Sequence, residues 1–233
     1  MYLIRYIAQA VVALGIFCLA GIYLAHADIL FKQTTETENA GEQVSSYEQT
    51  ISIQKHLMKI EIKPKNADHT DTQTLIFNAQ TGRLWIFSDK EKQYVEKILP
   101  KNKTTKNQYM FEKTNRQNTF AKFLAVQYIV KQNNDMIGEV WLAKNQDTPM
   151  LKNHLVHLTQ VFQSDPQQVI LNDLLMLDLG YPVYSILKIK PDPKNTQSVV
   201  LRTRLEHIET PLKPFDRTWF SVPDGYQKTK DLP

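Results

Sequence analysis

The chain has 233 residues, 42% of them hydrophobic and 22% charged, a composition that suits a globular protein with apolar material for one self-sufficient core. Its formal net charge is +4, and Arg5 is the only charged residue before Asp28, so 27 of the 28 basic residues stand against 24 acidic ones in the remainder. That balance is too mild and too dispersed to point to nucleic acid, and the single cysteine, Cys18, excludes an intramolecular disulfide, so stability must come from packing.

The first element in chain order is a secretory leader. Arg5 supplies a positive start, Ile7 to Leu24 is almost continuously apolar, and Ala25-His26-Ala27 has the small-x-small spacing of a cleavage site. This predicts a signal peptide over 1–27 and one mature domain over 28–233, working in the periplasm of a Gram-negative-type envelope. The apolar stretch also approaches the roughly 20 residues that span a bilayer, so an uncleaved inner-membrane anchor is the alternative. Phe17 stands before Cys18 where lipoprotein processing needs a small residue, which argues against lipidation.

After the leader, short alternating segments are separated by turn residues at intervals of about 8 to 12, the spacing of antiparallel strands. Ile51 and Ile53, then Met58, Ile60 and Ile62, alternate with polar neighbours until Pro64. Leu75 to Phe77 leads through Gln80-Thr81-Gly82 into Leu84 to Phe87, and Asp89 to Lys92 turns that strand toward Tyr94 to Ile98. Lys101 to Asn118, rich in Lys, Asn, Thr and Gln, reads as a solvated loop or a loosely held helix. Phe123 to Val130 and Met136 to Leu142 flank Gln132-Asn133-Asn134-Asp135, whose side chains tolerate the left-handed backbone of a tight turn.

Leu151, Leu155, Leu158 and Phe162 then recur at helical spacing, and Pro166, after Ser164 and Asp165 as candidate caps, opens a second helix through Leu177 toward Gly180. A last hairpin joins Val183 to Ile189 and Val199 to Leu205 through Pro191-Asp192-Pro193-Lys194-Asn195. The fold class expected is mainly β (α+β): a curved antiparallel sheet of about eight to ten strands whose concave face is covered by amphipathic helices. Met58, Ile60, Ile62, Val126, Tyr128, Val140 and Leu142 are the candidate inward strand residues, and Leu155, Leu158 and Phe162 face them from the helix. In Arg83 to Ser88 the phase is open, because Trp85 and Phe87 compete with Leu84 and Ile86 for the inner face.

The segment Phe215-Asp216-Arg217-Thr218-Trp219-Phe220-Ser221-Val222-Pro223-Asp224-Gly225-Tyr226 resembles the closing "slF-x-vP-x-gY" of a family of exported bacterial proteins of unknown function. Lys55 to Ile62, Leu84 to Tyr94, Val140-Trp141-Leu142-Ala143 and Gly180-Tyr181-Pro182 resemble further segments of that family in the same order. Lys122-Phe123-Leu124-Ala125 departs from its Gly-Tyr-x-Cys stretch, and Lys59 stands where it has an Arg, so no role is carried over to those positions. The family is related in fold to the periplasmic lipoprotein carriers, the lipoprotein localization factor-like half-barrels. The resemblance implies a half-barrel with helices as a lid, an architecture that in the carriers encloses a greasy cavity for acyl chains.

The ligand-binding set this implies is Met58, Ile60, Ile62, Trp85, Phe87, Val126, Tyr128, Val140, Leu142, Leu155, Leu158 and Phe162, which either line a cavity or fill a core. The partner expected is a lipid or a lipoprotein acyl chain, the alternative an envelope protein bound by a module with a solid core. His154 and His157 share a spacing that some metal sites use, but the thiols and clustered carboxylates of a complete site are missing, so no metal and no cofactor are expected. No nucleophile elbow, zincin motif or phosphate loop occurs, and no catalytic residue is assigned. Lys101, Lys103, Lys106, Lys113 and Arg116 form a basic stretch that faces solvent or, weakly, anionic headgroups. N-terminal sequencing of the protein recovered from its own envelope should begin at Asp28; a membrane-bound product beginning at Met1 is the outcome of anchoring.

Overall fold

The computed structural model of the chain describes residues 28–39, 42–65, 72–99, 109–143, 166–177, 179–189, 198–209, 211 and 213–231. Its strands are β1 (Ile29–Asn39), β2 (Glu42–Gln54), β3 (Leu57–Pro64), β4 (Gln73–Asn78), β5 (Arg83–Ser88), β6 (Gln93–Ile98), β7 (Met110–Phe120), β8 (Phe123–Gln132) and β9 (Asp135–Ala143). The helix α1 (Pro166–Met176) precedes β10 (Tyr181–Ile189) and β11 (Val199–Glu209), and a 3-10 turn (Arg217–Phe220) precedes β12 (Gln227–Thr229). All twelve strands form one open sheet in the order β12-β6-β5-β4-β3-β2-β1-β11-β10-β9-β8-β7. Every pairing is antiparallel except that of β12 with β6.

Residues of β7 and β11 come within 8 Å of each other although β10, β9 and β8 stand between them in the sheet. Four flat strand spacings amount to about 19 Å, so the sheet must curl at this end. Register shifts between Lys113 and Gln117, Val130 and Lys131, and Pro182 and Tyr184 supply the extra residues that let strands bend. Gly138 permits the tightest approach: a Cβ there would lie 2.1 Å from the Ile186 carbonyl oxygen of β10.

Hairpin chemistry accounts for the local connections. Asn133 and Asn134 hold φ of 51° and 70° between β8 and β9, the left-handed pair of a tight hairpin turn, as their residue types predict. Gly82 (φ 69°) closes the β4–β5 turn, where its N–H bonds the Asn78 carbonyl. The predicted β4–β5–β6 succession is present in full register.

Two expectations change. The segment Lys101 to Asn118, read as a loop or loose helix, contains most of β7, which pairs with β8 over Met110 to Phe120; residues 101–108 lie outside the described part. β7 is an edge strand with most of its side chains exposed, so no apolar alternation marks it. The helical cover also differs. Leu151, Leu155, Leu158 and Phe162 lie outside the described residues, whereas α1 forms where Pro166 predicts it. It is not amphipathic over its described side chains, since every residue from Val169 to Leu175 is buried. Asp173 is buried among them and accepts the Tyr109 backbone N–H at 3.1 Å, which fixes the start of β7.

The β7–β8 turn is built from Ala121 and Lys122, held at φ 45° and 74°. A left-handed backbone costs a residue with a Cβ about 1–2 kcal/mol. Lys122 is exposed, so Lys122→Gly should raise the unfolding free energy by about 1 kcal/mol, read as a higher urea midpoint at unchanged slope.

Candidate functional site

Side chains on the two faces of the sheet meet different environments. On one, the core face, register aligns Phe31, Ile51, Ile60, Leu75, Ile86 and Val95 across β1 to β6, all buried. The same face continues through Leu201 and Leu187 to Val140, Leu142, Val126 and Tyr128 on β9 and β8. The predicted inward residues Met58, Ile60, Ile62, Val126, Tyr128, Val140 and Leu142 thus share one buried cluster, which also takes in Ile170, Leu171 and Leu174 of α1. In β5 the core face goes to Leu84 and Ile86; Trp85 and Phe87 stand on the opposite face, in a separate cluster with Ile76 and Phe220. Alternation along a six-residue strand cannot decide this, because both faces of β5 are apolar.

Near its middle the core face changes character. Tyr47, Thr35, Thr203 and Ser185 are successive cross-strand neighbours on β2, β1, β11 and β10, and Gln49 and Gln33 are neighbours in the next row. Thr35, Thr203, Ser185, Gln33 and Gln49 are each at most 1% exposed. Gln33 and Gln49 hydrogen-bond through their side-chain amides, and Thr35 Oγ1 donates to Thr203 Oγ1 at 3.3 Å. Sequence reading missed this row, since apolar alternation is the signal it follows and these strands break it. None of the core-face positions named on β1–β5 and β8–β11 is charged.

The opposite face of β3–β5 is crossed by the carboxy-terminal segment, which acts as a strap. Asp28, at the start of the described chain, accepts hydrogen bonds from Gln54 Nε2 at 2.9 Å and from the Phe215 N–H, while Gln54 Nε2 also donates to the Phe215 carbonyl at 2.8 Å. Asp216 then caps the 3-10 turn by accepting the Thr218 N–H at 2.9 Å, a bond that lowers the Asp216 pKa from its ordinary value. Phe220 buries itself against Ile76 and Phe87, and β12 finally pairs with the β6 edge. A half-open cleft of about 280 Å³ remains under the strap, lined by Lys59, Glu61, Thr74, Asp89 and Trp219 among others. Lys59 Nζ sits 3.3 Å from Glu61 and 3.9 Å from the centre of the Trp219 ring, so the cation in this cleft already has partners.

Among the described residues no group of three His, Cys, Asp or Glu side chains is placed to hold a metal ion; His154 and His157 lie outside them. The exposed His207 meets Glu209 at 3.1 Å. No helix of the described chain is long and apolar enough to cross a membrane. The arrangement offers apolar area and neutral hydrogen-bonding groups.

No family model matches the chain, and no match was found among curated proteins. Solved structures similar to it include an uncharacterized conserved protein of Thermus thermophilus, 9% identical over 85% of this chain and 90% of that one, with a TM-score of 0.43. The MucA/MucB complex of Pseudomonas aeruginosa contains a chain 14% identical, aligned over 84% of this chain and 56% of that one, with a TM-score of 0.40. The present chain therefore spans little more than half of that protein. A LolA superfamily protein of Nitrosomonas europaea is 10% identical over 85% of this chain and 91% of that one, with a TM-score of 0.37. Likeness this loose assigns no ligand, partner or reaction.

Strap docking has a titratable anchor. The Tyr226 hydroxyl donates to Asp89, and burial, followed by that hydrogen bond and the carboxylate charge, pushes the Tyr226 phenol up from 10.0 to about 12. The stabilisation is therefore whole below pH 10.0 and lost as pH rises toward about 12, because the undocked phenol ionises first. Amide exchange in residues 215–229 should accelerate across that interval in the native protein. Tyr226→Phe should loosen the strap by about 1 kcal/mol at neutral pH and flatten the alkaline rise.

Proposed function

We propose that this chain is an exported, non-enzymatic binding protein that holds a lipid or a lipoprotein acyl chain against the core face of its sheet. The observation that carries the reading is the unbroken run of uncharged side chains at the named positions of that face. Apolar side chains run from β6 through β1 to β8, while α1, with 11 residues and so about 16 Å long, packs against β10. Hydrocarbon is the occupant that such a face favours, because burying apolar area against it needs no countercharge. The leader over 1–27 supports an address outside the cytoplasm.

A second reading has one specific support. β12 covers the β6 edge, but among the described residues β7 pairs only with β8 and leaves its other edge at the end of the sheet order, where an extended segment of a partner protein could add a strand. Under this reading the interior is filled by the chain itself.

Native mass spectrometry of protein purified from its own envelope, with organic extraction of the same sample, separates the two. The expected result is a co-purifying amphiphile released by solvent. A ligand-free protein that takes up no lipid on incubation overturns the binding reading in favour of the second.

A further inference from the structure

We infer that the neutral polar row at the middle of the core face, Thr35, Thr203 and Ser185 beside the Gln33–Gln49 pair, receives the carbonyl of an ester or amide linkage whose hydrocarbon lies on the flanking apolar rows. The inference rests on the binding reading above and adds the class of ligand. On β11 and β10 the row has apolar neighbours on both sides, Leu205 and Val183 one way and Leu201 and Leu187 the other, while on β1 and β2 Phe31 and Ile51 lie beyond the Gln33–Gln49 pair and Thr37 and Ser45 stand on the other side. A linkage with hydrocarbon on both sides matches that pattern.

Burial and bonding argue that the row is more than filling. Ser185 is 0% exposed and its Oγ has no hydrogen-bond partner. Thr35 spends its proton on Thr203 at 3.3 Å, a long bond, and Thr203 keeps its own proton to donate. Buried hydroxyls left unmatched are costly, and Val or Ala would fill the same space without that cost. Two hydroxyl protons on adjacent strands, opposite each other in the β10–β11 register, are what a carbonyl oxygen accepts.

Charge narrows the class further. The row contains no cation, so a carboxylate or phosphate there would be a buried, unpaired anion, which is strongly disfavoured. The linkage, and not an anionic headgroup, is therefore the group recognised. α1 packs against β10, the strand that carries Ser185.

Three probes of matched chain length test this: hexadecane, methyl palmitate and palmitate, each titrated into delipidated protein and read by native mass spectrometry and by intrinsic aromatic fluorescence. The wild type should bind methyl palmitate about fivefold more tightly than hexadecane, the equivalent of one net hydrogen bond, and palmitate at high pH no better than hexadecane. Ser185→Ala, and Ser185→Ala with Thr203→Val, should abolish the ester preference, keep hexadecane affinity, and unfold at the same or a higher urea concentration. Ser185→Ala removes one atom, which keeps the test open should the double variant fail to fold. An unchanged ester preference in a destabilised Ser185→Ala protein assigns the row to folding and overturns the inference alone. Failure of the wild type to take up any of the three overturns the binding reading beneath it.

Discussion

The structure depends on β1. It is the strand through which the two halves of the sheet are joined, with β2 to β6 and β12 on one side and β11 to β7 on the other. Both of its ladders run along almost its whole length, to Glu42–Gln54 on one edge and to residues 200–209 on the other. Side chains reinforce the join at each end. Asp28 fastens its start to the strap, and Glu38 near its end pairs with Arg202, whose guanidinium pKa that hydrogen bond raises. Half-exposed as it is, this ion pair adds little energy, so register and the buried face must carry the join.

The polar row lies on this same seam. Gln33 and Thr35 are β1's own contribution, Gln49 comes from β2, and Thr203 comes from β11. The place where the sheet most needs cohesion is thus where its inner face is least hydrophobic. In a protein selected for packing alone the opposite arrangement would be expected, since β-branched apolar residues suit a central strand better than glutamine does. Side-chain hydrogen bonds across the strands recover part of the loss.

What could be read from the sequence follows the same division. Elements governed by local chemistry were legible: the Asn133-Asn134 turn, the β4–β5–β6 hairpins and the helix opened by Pro166. Met58, Ile60 and Ile62 were placed on the buried face by alternation alone, and the register keeps them together with Val140 and Leu142. β7 was not legible, because an exposed edge strand has no buried face to imprint a period, and its turn uses Ala121 and Lys122 instead of the Asn or Gly that announce one. Phe87 belonged to the opposite face for a reason more than a hundred residues away, the arrival of Phe220 on the strap. Thr35 and Thr203, 168 residues apart, carry nothing in their local sequence that says they meet.

That separation has a kinetic consequence. Hairpins such as β4–β5 and β8–β9 can form as soon as their residues are free, but β1 cannot complete its second ladder until β11 is available. Non-local pairing of this kind is slow, since the entropy of closing the long loop is lost before the ladder compensates for it. The strap is later still, because its anchor at Asp28 and its parallel pairing with β6 require both ends of the chain. The unpaired edges of β1 and β2 are exposed meanwhile, and their polar inner positions, Gln33, Thr35 and Gln49, make those edges poorer templates for aggregation than an all-apolar seam would be.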